Sequence, residues 1–270
     1  MFSSTGNPYF TAMPEDRMQF EITEGSAIKH PRYSGLLNAW TLSFVGALVA
    51  ILYLVYSRPD PYWRILKFLP DGILVTFQVT TASIFFALLL GLLTGLGRVS
   101  GNRIVNVVAS TYVEVVRGIP LLVQLFYVYY ALGRYLQVPD MVAAVLAMSV
   151  CYGAYMGEIF RAGIQSIDKG QTEAARSLGF SKRQTMFLVI LPQAWRTILP
   201  PVGNEFIMLL KDTSLVSILA VTDMLRRGRE FASETFYYFE TYTLIALIYL
   251  VITLLLSRGV AHMERRLSYD

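Results

Sequence analysis

Residues 72–96 read GILVTFQVTTASIFFALLLGLLTGL, and no side chain in that run carries a charge. At about 1.5 Å of rise per residue, a helix needs roughly 20 apolar residues to cross the hydrocarbon core of a bilayer. A buried helix of a soluble protein is a poor alternative, because such segments recur along the whole chain. Working outward, Leu36–Tyr56 (LLNAWTLSFVGALVAILYLVY) is also free of charge. Four further apolar stretches follow: Ile104–Leu132, Met141–Gly163, Thr185–Leu210 and Tyr242–Leu256. Together they predict an all-α membrane protein with six transmembrane helices. The last stretch is short, but Phe236, Tyr237, Tyr238 and Phe239 precede it and suit the aromatic belt of a membrane interface. Residues 1–35 have no sustained apolar period and read as a polar tail.

Composition agrees. Of 270 residues, 54% are hydrophobic and only 16% charged, against about 25% charged in soluble domains. The net charge of +4 is spread over the connections between spans, so it marks topology and not a nucleic-acid surface. Of the 23 Lys and Arg, thirteen fall on the side that holds both termini, eight on the other, and Arg117 and Arg196 inside spans. The positive-inside rule then puts both termini, and the loop 161–184, in the cytoplasm. A single cysteine, Cys151, precludes a disulfide within the chain. The opening MFSSTGNPYF has no basic segment, and the first apolar run starts late, so no secretory signal peptide is expected. Two histidines, His30 and His262, assemble no metal site or nucleophile–base pair.

The loop RAGIQSIDKGQTEAARSLGFSKRQ (Arg161–Gln184) carries helix signals of its own. Asp168 with Gln171 suggests a capping box, Glu173–Leu178 are good helix formers, and Gly179 is placed to end the helix left-handed. Ser181 with Gln184 suggests the cap of the following span. A short helix is therefore expected outside the bilayer, with Ala174 and Ala175 as a small-residue face for another protein. Beyond it, Pro192 is placed to bend the next span.

Glu173-Ala174-Ala175, then Gly179, then Val189-Ile190-Leu191-Pro192 resembles the EAA signature of ABC importer permeases, with Val189 where Ile is usual. Three flanking blocks resemble the polar amino-acid branch of that family: YVEVVRGIPLLVQLFYVYYALG (112–133), AYMGEIFRAGIQSIDKGQTEAARSLG (154–179) and LKDTSLVSILAVTDML (210–225). The resemblance runs from about Leu69 to Leu267. It implies a five-helix core over 69–267, with 36–56 as an extra N-terminal span, in the bacterial inner membrane. It also implies that the loop 164–184 is a coupling helix for a separate cytoplasmic ATPase. Glu173, Ala174, Ala175, Arg176, Gly179 and Pro192 are its ATPase-coupling residues. The implied assembly has two ATPases, a second permease copy or paralogue, and an extracytoplasmic solute-binding protein that delivers an amino-acid substrate. ATP and Mg would belong to the ATPase. The chain has no G-x-x-x-x-G-K-[ST] phosphate loop of its own, and the resemblance implies a transport subunit and not an enzyme. Gly91 with Gly95, and Gly153 with Gly157, read as small-xxx-small helix packing and not as a nucleotide loop.

Ionisable residues at bilayer depth cost roughly 2.5–3.5 kcal/mol or more, so they face protein or a wet path. Glu158 and Arg161, spaced to meet on one helix face, read as a structural charge pair near the cytoplasmic end. Glu114 and Arg117 have the same spacing but sit mid-span, just before Gly118-Ile119-Pro120, which should break the helix. Glu205 follows Pro200-Pro201, which should disturb the helix there. A zwitterionic cargo needs partners of both signs, and broken helices supply them; Glu114, Arg117 and Glu205 are the substrate-path candidates. Lys211 and Asp212 read either as helix-end charges at the headgroup level or as an outer gate or a contact with a binding protein. The rival reading is an ion-coupled secondary transporter, in which the intramembrane acids would be coupling sites; no duplicated half supports it. A non-transporting membrane scaffold, or an importer of another small polar solute, would also be compatible with the apolar spans.

Overall fold

The charge-free run 72–96 forms the middle of a long helix, α3 (Pro70–Arg98). The structure, a computed structural model, describes residues 38–267 apart from 133, 134 and 136. The polar tail 1–35 and the first two residues of the expected span 36–56 lie outside the described residues. Before α3 come α1 (Ala39–Ser57) and the short amphipathic α2 (Pro59–Phe68). After it, α4 (Arg103–Gly118) starts at Asn102, whose side chain accepts from Ile104 N at 2.9 Å and Val105 N at 3.4 Å. Two otherwise orphaned helix donors are thereby satisfied.

The stretch 104–132 is not one straight helix. α4 stops at Gly118, Ile119 is extended, and α5 (Leu121–Phe126) starts after Pro120, bent by 102° and running on as a π turn over Tyr127–Leu132. Pro120 cannot donate, and it holds Ile119 out of the helical region. The side chain of Gln124 donates to Val116 O and to Ile119 O, both at 2.8 Å. Backbone freed by the break is therefore satisfied within the protein, as membrane depth demands.

The long helix α6 (Asp140–Gln165) lies against α3. Glycines set that contact: a Cβ on Gly95 would sit 2.5 Å from Phe160 Cβ, and one on Gly153 would sit 2.9 Å from Leu90 Cβ. The two backbones approach where side chains are missing. Next come α7 (Lys169–Ser177), a turn at Lys182–Gln184, a π turn (Thr185–Ile190) and α8 (Leu191–Asp212). Pro192 does bear on the backbone here: the widened π turn directly precedes it. By contrast, α8 runs through Pro200 and Pro201 without interruption, so the expected disturbance there does not occur.

A 3-10 turn (Thr213–Ile218) leads to α9 (Met224–Thr235), and α10 (Tyr238–Leu267) closes the chain. Asp223 caps α9, accepting from Leu225 N and Arg226 N at 3.1 and 3.0 Å. The last span is longer than the sequence suggested, because the helix continues past Arg258 to Leu267. Phe236, Tyr238 and Phe239 at its start are exposed, as an aromatic belt requires.

Among the described residues four helices, α1, α3, α6 and α10, are each long and apolar enough to cross a membrane, and the bent pair α4–α5, counted as one span, makes a fifth. The chain is a multi-pass, all-helical membrane protein. The expected sixth crossing, 185–210, does not meet that measure, since α8 carries Arg196, Glu205, Lys211 and Asp212. The main core joins α3, α6 and α8 around Val79, Met148, Met156, Phe160 and Ile198. A second cluster, with Tyr62, Ile65, Met224, Phe231 and Leu244, joins α2, α9 and α10. On the flank, Trp40 of α1 donates from Nε1 to Leu254 O at 2.9 Å and stacks on Phe44, while Arg258 lies over its ring.

Candidate functional site

The loop 161–184 forms an outward-facing corner held by local hydrogen bonds. Asp168 starts α7 by accepting from Gly170 N at 2.7 Å. The capping box expected with Gln171 does not form, because the Gln171 side chain accepts instead from Gln193 Nε2 at 3.3 Å and so ties α7 to α8. At its far end, Gly179 has φ +87°. Phe180 N bonds to Ala175 O and Gly179 N to Arg176 O, both at 3.1 Å, the pair of bonds that defines a Schellman cap. Arg176 also donates from its side chain to Phe180 O at 2.6 Å. Immediately afterwards Ser181 and Gln184 close a reciprocal capping box. Every turn of backbone between α7 and α8 is thus held by a local bond.

The expected small-residue face divides. Ala175 is 4% exposed and seats α7 on its own chain, so it is not offered to a partner; Ala174, Glu173 and Arg176 face outward. Leu178, not singled out in the sequence, is 79% exposed.

Inside the bundle the charges sort into two groups. Glu158 binds Arg161 on its own helix, with Arg161 Nε at 3.2 Å, and also Arg98 of α3. Arg98 is 12% exposed and bonded through its carbonyl to the Asn106 side chain. The pair seen in the sequence is therefore part of a triad that links α3, α4 and α6. Glu114 lies on the edge of this triad, 3.8 Å from Arg98 and 76% exposed. Among the described residues no ion pair joins it to Arg117.

Arg117 instead lies over the ring of Tyr155, 5.3 Å from its centroid. Tyr155 neighbours Tyr152, whose hydroxyl donates to Asp212 Oδ2 at 2.8 Å. Glu205 is within the electrostatic reach of both Asp212 and Arg117. One guanidinium, two carboxylates and two phenols from α4, α6 and α8 thus converge. Arg117, Tyr155, Tyr152 and Asp212 form a linked series of contacts, Glu205 lies within charge–charge range of its two ends, and Glu114 lies apart, beside Arg98. Tyr152, Tyr155 and Asp212 complete the group; their partners are remote in sequence, so spacing alone could not assemble them.

The pattern of one protein family, described as the inner membrane component of binding-protein-dependent transport systems, matches residues 87–269. The chain belongs to this family. A relative, the glutamine transport system permease protein of Escherichia coli (strain K12), is 38% identical over 209 residues, which are 76% of this chain and 95% of that one. The L-cystine transport system permease protein of Bacillus subtilis (strain 168) is 41% identical over 209 residues, 77% of this chain and 88% of the relative. A crystal structure of an amino acid ABC transporter, with histidines, matches with a TM-score of 0.72 at 41% identity, covering 75% of this chain and 95% of that chain.

As a member of the binding-protein-dependent family, the chain is the permease component of an ABC importer, a transport subunit and not an enzyme; ATP hydrolysis belongs to a separate subunit. Partner ATPase and binding proteins are general to such systems. The family pattern begins inside α3, so α1 and α2 lie before it. Both the corner 168–184 and the charged group of α4, α6 and α8 lie within it.

Proposed function

We propose that this permease carries a polar amino acid across the bacterial inner membrane by alternating access, driven by two separate ATPases that dock on α7. The observation that carries this reading is the bonded corner 168–184, with Glu173, Ala174, Arg176 and Leu178 turned outward. A docking helix transmits force only if its junctions do not yield, and here caps on both sides and the tie to Gln193 hold them. Gly179 allows the turn, Ala175 seats the helix, and Pro192 follows the π turn where the motion enters α8. ATP and Mg sit on the ATPases.

Glu205 and Arg117 border the cargo path, with Asp212 and the two tyrosines beside them; Glu114, the third residue considered for that path, stands apart from them beside Arg98. Carboxylates suit an ammonium group and the guanidinium suits a carboxylate, which is the pairing a zwitterion needs. The relatives' names, glutamine and L-cystine permeases among them, support an amino acid as cargo. In this reading α8 is a sixth crossing; the transport core is 69–267, and 36–56 is an added span. The working assembly pairs two permeases, identical or related, with a solute-binding protein on the outer side.

The test is purification of the tagged chain from its native membrane in mild detergent, with mass spectrometry of what stays bound. An ATPase that co-purifies with the native chain and is lost from Gly179→Pro is the expected result. If the folded chain retains no ATPase and drives uptake from an ion gradient alone, the proposal fails.

A further inference from the structure

An open cavity of about 370 Å³ lies between the corner 168–184 and the turn that joins α3 to α4. α7 lends it Thr172 and Arg176, one helical turn apart and so on one face. Lys182 and Thr185 line it from the start of the next segment, and Gly101 from the α3–α4 turn. Burial divides the lining into floor and rim. Ile190 and Thr185 are buried, and Val99 and Met186 half-buried, so the floor is mostly apolar; Thr172, Arg176 and Lys182 are exposed and form the rim.

The rim has donors and charge left over. Arg176 donates one N–H group to Phe180 O at 2.6 Å, a neutral partner that does not balance its charge. Lys182 and Thr172 have no side-chain hydrogen bond or ion pair among the described residues. Thr185, by contrast, already donates its hydroxyl to Ser181 O at 3.0 Å. The two acids of the corner do not neutralise the rim. Asp168 caps α7 through Gly170 N, and Glu173 makes no ion pair among the described residues.

We infer that this cavity is a binding site for a phosphate monoester, with the phosphate held between Arg176 and Lys182 and its organic part against the apolar floor. A monoester carries a charge of about −1.5 to −2 near neutral pH, which matches two cations where a carboxylate would match one. A guanidinium fork and an ammonium suit phosphate oxygens, and the Thr172 hydroxyl supplies a further donor. A floor that excludes water on one side strengthens these contacts. The volume leaves room for a glycerol-sized group beside the phosphate. The site is independent of α7 as an ATPase dock, because binding is read on the chain with no ATPase present.

The test has two arms, one for a soluble monoester and one for a lipid. The full chain in phosphatidylcholine nanodiscs is titrated calorimetrically with glycerol 3-phosphate. The full chain in mild detergent is examined by native mass spectrometry with phosphatidic acid or with phosphatidylcholine of the same acyl chains. Saturable binding of glycerol 3-phosphate assigns a soluble ligand; retention of phosphatidic acid over phosphatidylcholine, without it, assigns a lipid one. In either arm Lys182→Gln and Arg176→Gln each weaken binding about tenfold. Arg183→Gln removes the same charge from a neighbour outside the cavity lining and leaves binding unchanged. Lys182→Gln keeps the test decisive should Arg176→Gln, which also releases Phe180 O, loosen the corner. Binding in neither arm, or an equal loss in Lys182→Gln and Arg183→Gln, overturns the inference.

Discussion

Replacing Gly179 separates the geometry of the coupling corner from its composition. No atom lies within 4 Å of a Cβ placed there, so a substitution acts through the backbone alone. At φ +87° an L-residue costs about 1–2 kcal/mol relative to glycine. Against that stand the two Schellman bonds, worth about 0.5–1.5 kcal/mol each in net terms. The terms are close, so Gly179→Ala loosens the corner without abolishing it, by about 1.4 kcal/mol. Amides of 169–180 should then exchange roughly tenfold faster. Gly179→Asn should fall between glycine and alanine, since Asn tolerates the left-handed region. Gly179→Pro removes the N–H that reaches Arg176 O and fixes φ near −65°, so both bonds are lost. Hydrogen exchange and ATP-driven uptake, measured on the complex in proteoliposomes, should decline together in the order Gly, Asn, Ala, Pro. An alanine variant with unchanged exchange and impaired uptake would refute the link between the cap and coupling.

Three further outcomes are expected. Glu158→Gln leaves Arg98 and Arg161 without their carboxylate and should cost about 1–3 kcal/mol, reduced from a fully buried pair by partial exposure; Glu114→Gln, on an exposed carboxylate, should stay within about 0.5 kcal/mol. Thermal unfolding in detergent ranks the two, and the reverse order would sink the triad's structural role. Gly95→Ala should lose about 1–3 kcal/mol, because its Cβ meets Phe160 Cβ and the Gly157 carbonyl; Gly46→Ala, in open space on α1, should be neutral or gain up to about 1 kcal/mol. Burial raises the Asp223 carboxyl from 3.8 to about 6, against the pull of the two N–H groups it caps. Its contribution is complete below about pH 3.8 and is lost as pH rises through about 6, over a range of up to about 3 kcal/mol. Asp223→Asn keeps a cap oxygen, so the variant's stability advantage near neutral pH should shrink as pH falls to about 5. A gap that does not change with pH would count against a perturbed Asp223.

What could be read in advance was whatever depends on neighbours in sequence. The apolar runs, the break at Gly118-Ile119-Pro120, the turn at Gly179 and the glycine pairs of α3 and α6 each follow from local residue types. What could not be read depends on tertiary partners. Gln124 stabilises the break from the far side of Pro120, and nothing in its spacing marks it. Gln171 leaves the expected capping box because Gln193, more than twenty residues on, offers a partner. Helical spacing pairs Arg117 with Glu114, yet Tyr155 and Arg98 divide the two between different groups. Pro200 and Pro201 break helices in general, but α8 continues through both. At α8 the apolar stretch read from the sequence falls short of a crossing because Arg196 and Glu205 interrupt it.

The seam of α1 follows a rule of its own. Its less exposed positions include Trp40, Phe44, Ala47, Ile51 and Leu54, spaced four, three, four, three. That alternation is the signature of knobs set into holes along a shallow left-handed crossing. α1 therefore meets the rest of the chain mainly along one side, which Thr41, Ala50 and Val55 widen, and its remaining positions are exposed. Such a helix is modular. Five seam residues carry its register, so a foreign apolar helix with the same five should dock in its place. Its lipid-facing positions are free to vary with the thickness of the membrane that each host provides.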